Sequence, residues 1–355
     1  MAELFIELFS EEIPAKLQID ARQKIKQMIN EKLQKKEINF KSSESFSTPN
    51  RLVFVVDGIP EKIEQKKKII KGPKVDANQE AINGFIKSNN LTKQDIYKKK
   101  IEKGEFYFAE TKPKVIDIAK ELETIVPETI KAHSWKKSMK WSTYDLHWGR
   151  PLKSIVALFN KQVIKFNFSH LQSGNLTLLE DTHEDKFKKI DCFKSYLNIL
   201  KSENIILDQE KRRDIIVKKI NNICKQRNLK NNFNEKLIEE VVNLVEKPNV
   251  IMGKFDEVYL KIPQEILIVT MQQHQKYFPL FDTNNKLTNL FLLVANLADT
   301  KGFIKVGNQR VIEARLSDAK FFWERNKSQS LVKQVGKLKN LYFFNQLGTF
   351  YDRTQ

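Results

Sequence analysis

Apolar positions set the frame. Residues 3 to 9 (Glu-Leu-Phe-Ile-Glu-Leu-Phe) place Leu4, Ile6 and Leu8 at every second position, the period of a strand with one buried face. Pro14 suits the first turn of a helix, where its missing N–H costs nothing. Ala21, Ile25, Met28, Ile29 and Leu33 then recur at three and four residues, one apolar stripe along that helix. Phe46 to Val56 predicts a second strand, entered through Thr48-Pro49, so residues 1–60 form a small N-terminal α+β module.

Glu61 to Lys74 is rich in lysine and closes on Gly72-Pro73, which predicts a linker or basic loop. A helix from about Asn78 to Ser88, a strand pair around Phe106 to Glu110 and a helix from about Val115 to Ala132 follow. Pro151 to Phe168 carries two apolar halves around Asn160-Lys161 and predicts a hairpin. Asp185 to Asn228 is expected to be helical, with Asp208 as an N-cap, and Asn234 to Val245 continues helical until Lys247-Pro248. Strands return at Asn249–Met252, Leu280–Thr283 and Phe291–Asn296, and a helix covers Val311 to Glu324. Strands and helices alternate without a βαβ repeat, so the expected class is α+β, multi-domain. The expected division is a module at 1–60, a larger central α+β region at 61–330 with a helical insertion at about 185–247, and a lead-in at 331–355 to a further helical domain.

Composition adds sign more than shape. Hydrophobic residues at 41% and charged residues at 30% describe a folded chain, and 355 residues suffice for two or three cores. The formal charge of +18 favours polyanionic partners, with nucleic acid first among them. That signal is diluted, because ten of the 62 basic residues are arginine and 52 are lysine, and lysines also simply solvate a surface. Cys192 and Cys224 fall in helical patterns with no Cys-x-x-Cys spacing, which suits a reducing cytosol rather than a disulfide framework or a zinc site. The longest apolar stretch, Leu290 to Ala298, is short and interrupted by Asn296, so no membrane partner is expected.

Catalytic devices are missing. No Gly-x-x-x-x-Gly-Lys-Ser/Thr or Gly-x-Gly-x-x-Gly loop is present, and His183-Glu184 lacks the second histidine of a zinc helix. Both cysteines sit at apolar positions where a thiol serves as a small buried hydrophobe. No residue is therefore assigned a catalytic or metal-binding role. Residues suited to RNA are present instead. Trp135-Lys-Lys-Ser-Met-Lys-Trp141 and His147-Trp-Gly-Arg-Pro151 interleave three tryptophans with cations, a mix that stacks bases and holds phosphates. Buried packing is the competing role for Trp141 and Trp148. Met271-Gln-Gln-His-Gln-Lys-Tyr-Phe278 sets amides and an imidazole beside two aromatics. Tyr277 and Phe278 are expected to anchor it, while Gln272, His274 and Lys276 alternate along an extended segment where they read base edges or cap a buried turn. The nucleic-acid candidates are Arg51, Lys136, Lys137, Lys140, Arg150, Gln272, His274, Lys276 and Arg315. An internal ion pair to Glu313 or Asp318 is the competing role for Arg315.

The last block, with Gly307-Asn308, Glu313-Ala-Arg-Leu-Ser-Asp-Ala-Lys-Phe-Phe322, Glu7-Leu-Phe-Ser-Glu-Glu-Ile-Pro14 and Thr48-Pro-Asn-Arg-Leu52, resembles the β chain of the bacterial two-subunit glycyl-tRNA synthetases. Met139-Lys140-Trp141 and His147, Arg150, Pro151 match further motifs of that family. Leu176 to His183 departs from it, being acidic where the pattern is basic. Gln346 to Gln355 is similar to the start of the family's next, helical domain, so the resemblance implies the N-terminal half of a longer protein. It further implies a cytoplasmic ligase of two α and two β chains joining glycine to tRNA(Gly). ATP and magnesium would lie on the α subunit, with no cofactor in this chain, which would supply tRNA and subunit contacts. Two alternatives stay open: a stand-alone RNA-binding module, and a hydrolase acting on aminoacyl-tRNA through His274 or His183.

Overall fold

In the computed structural model the N-terminal alternation becomes strand β1 (Ala2–Ser10), followed by helix α1 (Ala15–Lys35). The structure describes residues 1–354 apart from 66–68, 90, 102–103, 111–113, 181–184, 329 and 345, so His183 lies outside the described residues. The chain folds as two units of interleaved stretches, not as successive blocks. The first comprises Met1–Phe9, Ala21–Ser45 and Val53–Tyr196; the second comprises Ser10–Asp20, Phe46–Leu52 and Leu197–Gln355.

After α1 come β2 (Ser42–Ser47), β3 (Arg51–Ile59), β4 (Lys62–Gln65), β5 (Ile69–Lys74) and α2 (Gln79–Ser88). Then follow β6 (Ile96–Ile101), β7 (Gly104–Glu110), β8 (Lys114–Asp117), α3 (Ile118–Ala132), β9 (Leu152–Phe159) and β10 (Gln162–Val163). The stretch closes with β11 (Asn167–Phe168), β12 (Leu171–Gly174), β13 (Leu176–Glu180) and β14 (Asp185–Lys189). The main sheet of the first unit runs β11-β12-β9-β1-β3-β2, with β10 paired to β9. Its central strand β1 is buried on both faces: Leu4, Ile6 and Leu8 on one, Phe5, Glu7 and Phe9 on the other. Burying Glu7 needs partners. Its Oε1 accepts from Thr177 Oγ1 at 3.0 Å and from Tyr196 Oη at 2.6 Å. The expected stripe of α1 is buried at Ala21, Ile25, Ile29 and Leu33. The β9–β10 turn passes through Asn160 and Lys161, both left-handed at φ 47° and 66°, the geometry a two-residue hairpin demands.

The second unit holds most of α4 (Phe193–Ser202), then α5 (Gln209–Arg227), α6 (Glu235–Val242), β15 (Asn249–Lys254), α7 (Gln264–Val269), β16 (Phe278–Phe281) and β17 (Leu287–Ala295). It ends with α8 (Phe303–Ser328), α9 (Leu331–Val335) and α10 (Phe350–Thr354). Here a three-stranded antiparallel sheet, β15-β17-β16, lies between two helical layers. Ile216, Ile220, Leu237, Ile238 and Val241 of α5 and α6 pack on Phe278, Leu280 and Leu292. The opposite face takes Leu267, Met271, Ile312 and Leu316 against Phe281, Phe291 and Leu293. Alternating residues of β16 and β17 thus face opposite layers, and each layer supplies the helical period the sequence shows. Asp208 and Asn234 cap α5 and α6 through their side chains.

Four expectations are corrected. The strand expected over 46–56 is two strands joined by a tight turn, closed by Thr48 N–H to Arg51 O at 2.9 Å, because Pro49 cannot donate to a ladder. The linker expected over 61–74 contains β4 and β5, whose isoleucines favour pairing despite the lysine run. Helix does not begin at Asp185: residues 185–189 pair antiparallel with 176–180, a partner that helical spacing alone does not reveal. The segment from Gln272 is helical, a π-type turn over Thr270–His274 continuing α7, because burial of Met271 beside Leu267 keeps the helical spacing.

Candidate nucleic-acid interface

In the first unit, the candidate residues lie on the segment joining α3 to β9. Met139 and Trp148 exchange backbone hydrogen bonds at 2.9 and 3.2 Å, which closes residues 139–148 into a loop. Trp148 is fully buried, edge-on to Trp135 at 4.9 Å and to Phe168 at 6.1 Å. A Cβ on residue 149 would lie 2.6 Å from the Trp135 ring, so glycine is required there by close approach. The Trp148-Gly149 pair is thus a packing device, and the cations around it are left outside. Lys136, Lys137 and Lys140 are exposed, and Arg150 is half-buried, donating from Nη1 to Gly149 O at 2.8 Å. Lys140 pairs with Asp145 at 2.6 Å, and that hydrogen bond and charge hold the Asp145 carboxyl below its usual range.

Trp141 remains half-buried. It lies edge-on to His170 at 5.7 Å and to Tyr144 at 6.4 Å, while Tyr144 and His170 stack at 3.8 Å. The open aromatic group beside the lysines is therefore Trp141, Tyr144 and His170. Sequence spacing did not point to His170, which reaches the loop only through the main sheet.

In the second unit, the turn after α7 presents the remaining polar candidates. Gln272 Oε1 accepts from Asn234 Nδ2 at 3.2 Å, and Lys276 Nζ lies 2.9 Å from Glu240 with its backbone left-handed at φ 60°. Together with Lys16, Lys236 and Gln273 they line an open groove of about 740 Å³. Lys16 and Lys236 carry no sequence signal beyond their charge, and only folding gathers them there. His274 is exposed, and its ring makes no hydrogen bond among the described residues. Arg315 is exposed on α8, and neither Glu313 nor Asp318 pairs with it, which removes the internal ion pair as its role.

Arg51 is corrected. It is 1% exposed, with Nη1 2.9 Å from Glu246, so its charge is spent inside the second unit and does not reach a ligand. Tyr277 anchors the turn as expected. Its ring stacks on Phe291 at 4.7 Å, its hydroxyl donates to Asn308 Oδ1 at 2.6 Å, and burial pushes its pKa up to about 12 from 10.0. The folded protein holds this proton more tightly than the unfolded chain. The resulting stability is complete below pH 10.0 and is lost as pH rises through about 12. An ultraviolet absorbance titration is expected to show a tyrosine step delayed to about pH 12, with that step missing from Tyr277→Phe. A step at the ordinary pH would mean that the ring is open to water.

Residues 4–355 match the family model described as "Glycyl-tRNA synthetase beta subunit". Among relatives, the glycine–tRNA ligase beta subunit of Rickettsia felis is 36% identical over 359 residues, covering 100% of this chain and 54% of the relative. That of Rickettsia prowazekii is 35% identical over 355 residues, covering 99% and 53%, and that of Rickettsia bellii 35% over 357 residues, covering 100% and 54%. The chain spans about half the length of these relatives. With a matched model running almost from end to end, the chain belongs to the glycyl-tRNA synthetase beta subunit family.

Proposed function

We propose that this chain is the part of a glycine–tRNA ligase beta subunit that grips tRNA(Gly) and assembles with an alpha subunit in the cytoplasm. Two α and two β chains would form the enzyme. ATP, magnesium and glycine activation would reside on the α chain, and the residues described above hold and orient RNA. One observation carries the proposal: exposed Lys136 and Lys137 immediately precede, and exposed Lys140 lies on, the closed 139–148 loop that holds the half-open Trp141 and exposed Tyr144. Cations beside open rings are the elements that hold a phosphate backbone and stack unpaired bases. The groove around Gln272 and Lys276 and the unpaired Arg315 offer further contacts. His274 favours contact over hydrolysis, since no acid or carbonyl orients its ring among the described residues, as a general base requires.

The test is binding of tRNA(Gly) to the whole chain, and to its complex with an α subunit, across a salt series. Lys137→Gln and Arg315→Gln are each expected to reduce the salt slope by about one and to leave the melting temperature unchanged. Copurification with the α subunit is expected for all variants. Binding that ignores both substitutions, or a chain that captures neither tRNA nor the α subunit, would reject the assignment.

A further inference from the structure

Strands β5, β7 and β6 form a separate antiparallel sheet in the first unit, and its two faces differ. Register decides which residues share a face. Tyr97 and Lys71 both pair with Phe108, Lys99 pairs with Phe106, and Ile69 pairs with Glu110. Ile70 and Ile96 pair with Ala109 on the other face, where Ala109 is fully buried. Helix α2 packs against β5, with Phe85 so close to Gly72 that a Cβ there would lie 2.7 Å from its ring. Part of that side of the sheet is thus covered by the chain itself.

The first face is open. Tyr97 is 39% and Ile69 59% exposed, Lys71 and Lys99 are exposed, and Phe106 and Phe108 are only half-buried. Tyr97 stacks on Phe108 at 6.2 Å between centroids. The Lys71 ammonium lies 3.5 Å from the Phe106 centroid, and that of Lys99 lies 5.8 Å from the Phe108 centroid. Three rings lie in a row across two strands, two of them with a cation over the ring, while the fully buried residue of the sheet, Ala109, is on the other side.

We infer that this open face of β5-β7-β6 binds a short unpaired RNA segment, with bases on Tyr97, Phe106 and Phe108 and phosphates on Lys71 and Lys99. A base stacked on an aromatic ring holds more strongly than an exposed ammonium over the same ring. A base therefore displaces the lysine, and the displaced ammonium meets the neighbouring phosphate. Single strands fit and duplexes do not, because paired bases keep their faces stacked on each other. This inference rests on the assignment of the chain as an RNA-binding subunit, but it concerns a different surface from the loop at 136–150.

The whole chain is titrated with a labelled oligouridylate of about twelve nucleotides, a length that such surfaces cover, and with a blunt RNA duplex of equal length. Tyr97→Ala is expected to weaken the single strand about tenfold, the effect of one lost base stack, and Tyr97→Phe to restore it. Lys71→Gln and Lys99→Gln, both at exposed positions that do not threaten folding, are each expected to lower the single-strand salt slope by about 0.7. Unchanged oligouridylate binding in Tyr97→Ala overturns the inference, as does equal binding of the duplex. Loss of α-subunit capture without loss of oligouridylate also overturns it, and would mark the face as a protein contact. A chain that binds tRNA(Gly) but not oligouridylate sinks this inference alone; a chain that binds neither sinks the proposed function as well.

Discussion

Replacing Arg212 by methionine is expected to destabilise the second unit by about 3–5 kcal/mol, the cost of leaving a group of buried acceptors without donors. Arg212 is fully buried on α5. Its Nε donates to Val242 O at 3.0 Å, Nη1 to Ile206 O at 2.6 Å and Leu207 O at 2.7 Å, and Nη2 to Ser47 O at 2.7 Å. Val242 ends α6, where a carbonyl has no partner within its own helix. Ser47 ends β2, and Ile206 and Leu207 precede the α5 cap. One guanidinium thus holds four carbonyls from three chain segments. Methionine matches its length and none of its donors. The full sum of four lost bonds is not expected, because burying a neutral thioether avoids the desolvation cost of the cation. Lysine in its place keeps the charge but not the fork, and is expected to recover little. Urea unfolding followed by tryptophan fluorescence reads the change, since Trp323 lies in this unit. A loss below about 1 kcal/mol would show that the carbonyls find other donors, and the role given to Arg212 would be wrong.

Affinity of the chain for tRNA(Gly) is expected to fall about a hundredfold or more between about 50 and about 200 mM salt, given roughly six phosphate contacts. The formal charge of +18 supplies the long-range attraction, and the exposed lysines of the 136–140 segment supply specific contacts. Each phosphate neutralised releases condensed counterions, and the entropy of that release shrinks as bulk salt rises. Arg51 is not among the contacts, so its replacement should lower stability and leave the salt slope of the folded fraction unchanged. Filter binding or anisotropy over the salt series gives the slope directly. An affinity independent of salt would contradict the electrostatic basis of the proposal, whatever the sequence family.

Much of the architecture was legible along the chain. Helical stripes at Ala21–Leu33 and Ile216–Cys224, the side-chain cap at Asp208, and the Asn160-Lys161 turn are local events, each decided within a few residues by backbone geometry or a short hydrogen bond. The errors came where a distant partner decides. Residues 185–189 look helical until residues 176–180 offer them a ladder, and the lysine-rich 61–74 stretch looks like a linker until β7 and β8 pair with it.

The candidate site divides in the same way. Motif order and residue type alone pointed to the family, and they placed lysines and aromatics together at 135–150, because that proximity is covalent. Burial is not a property of a residue in isolation. Only the packed structure sends Arg51 inward to Glu246 while leaving Arg315 in solvent, though both are scarce arginines in matching motifs. It also brings His170 to Tyr144 and sets Lys71 above Phe106. The reason is physical: a charge is neutralised or displayed according to which chain segments the hydrophobic layers bring around it, and that choice is made by the whole unit at once.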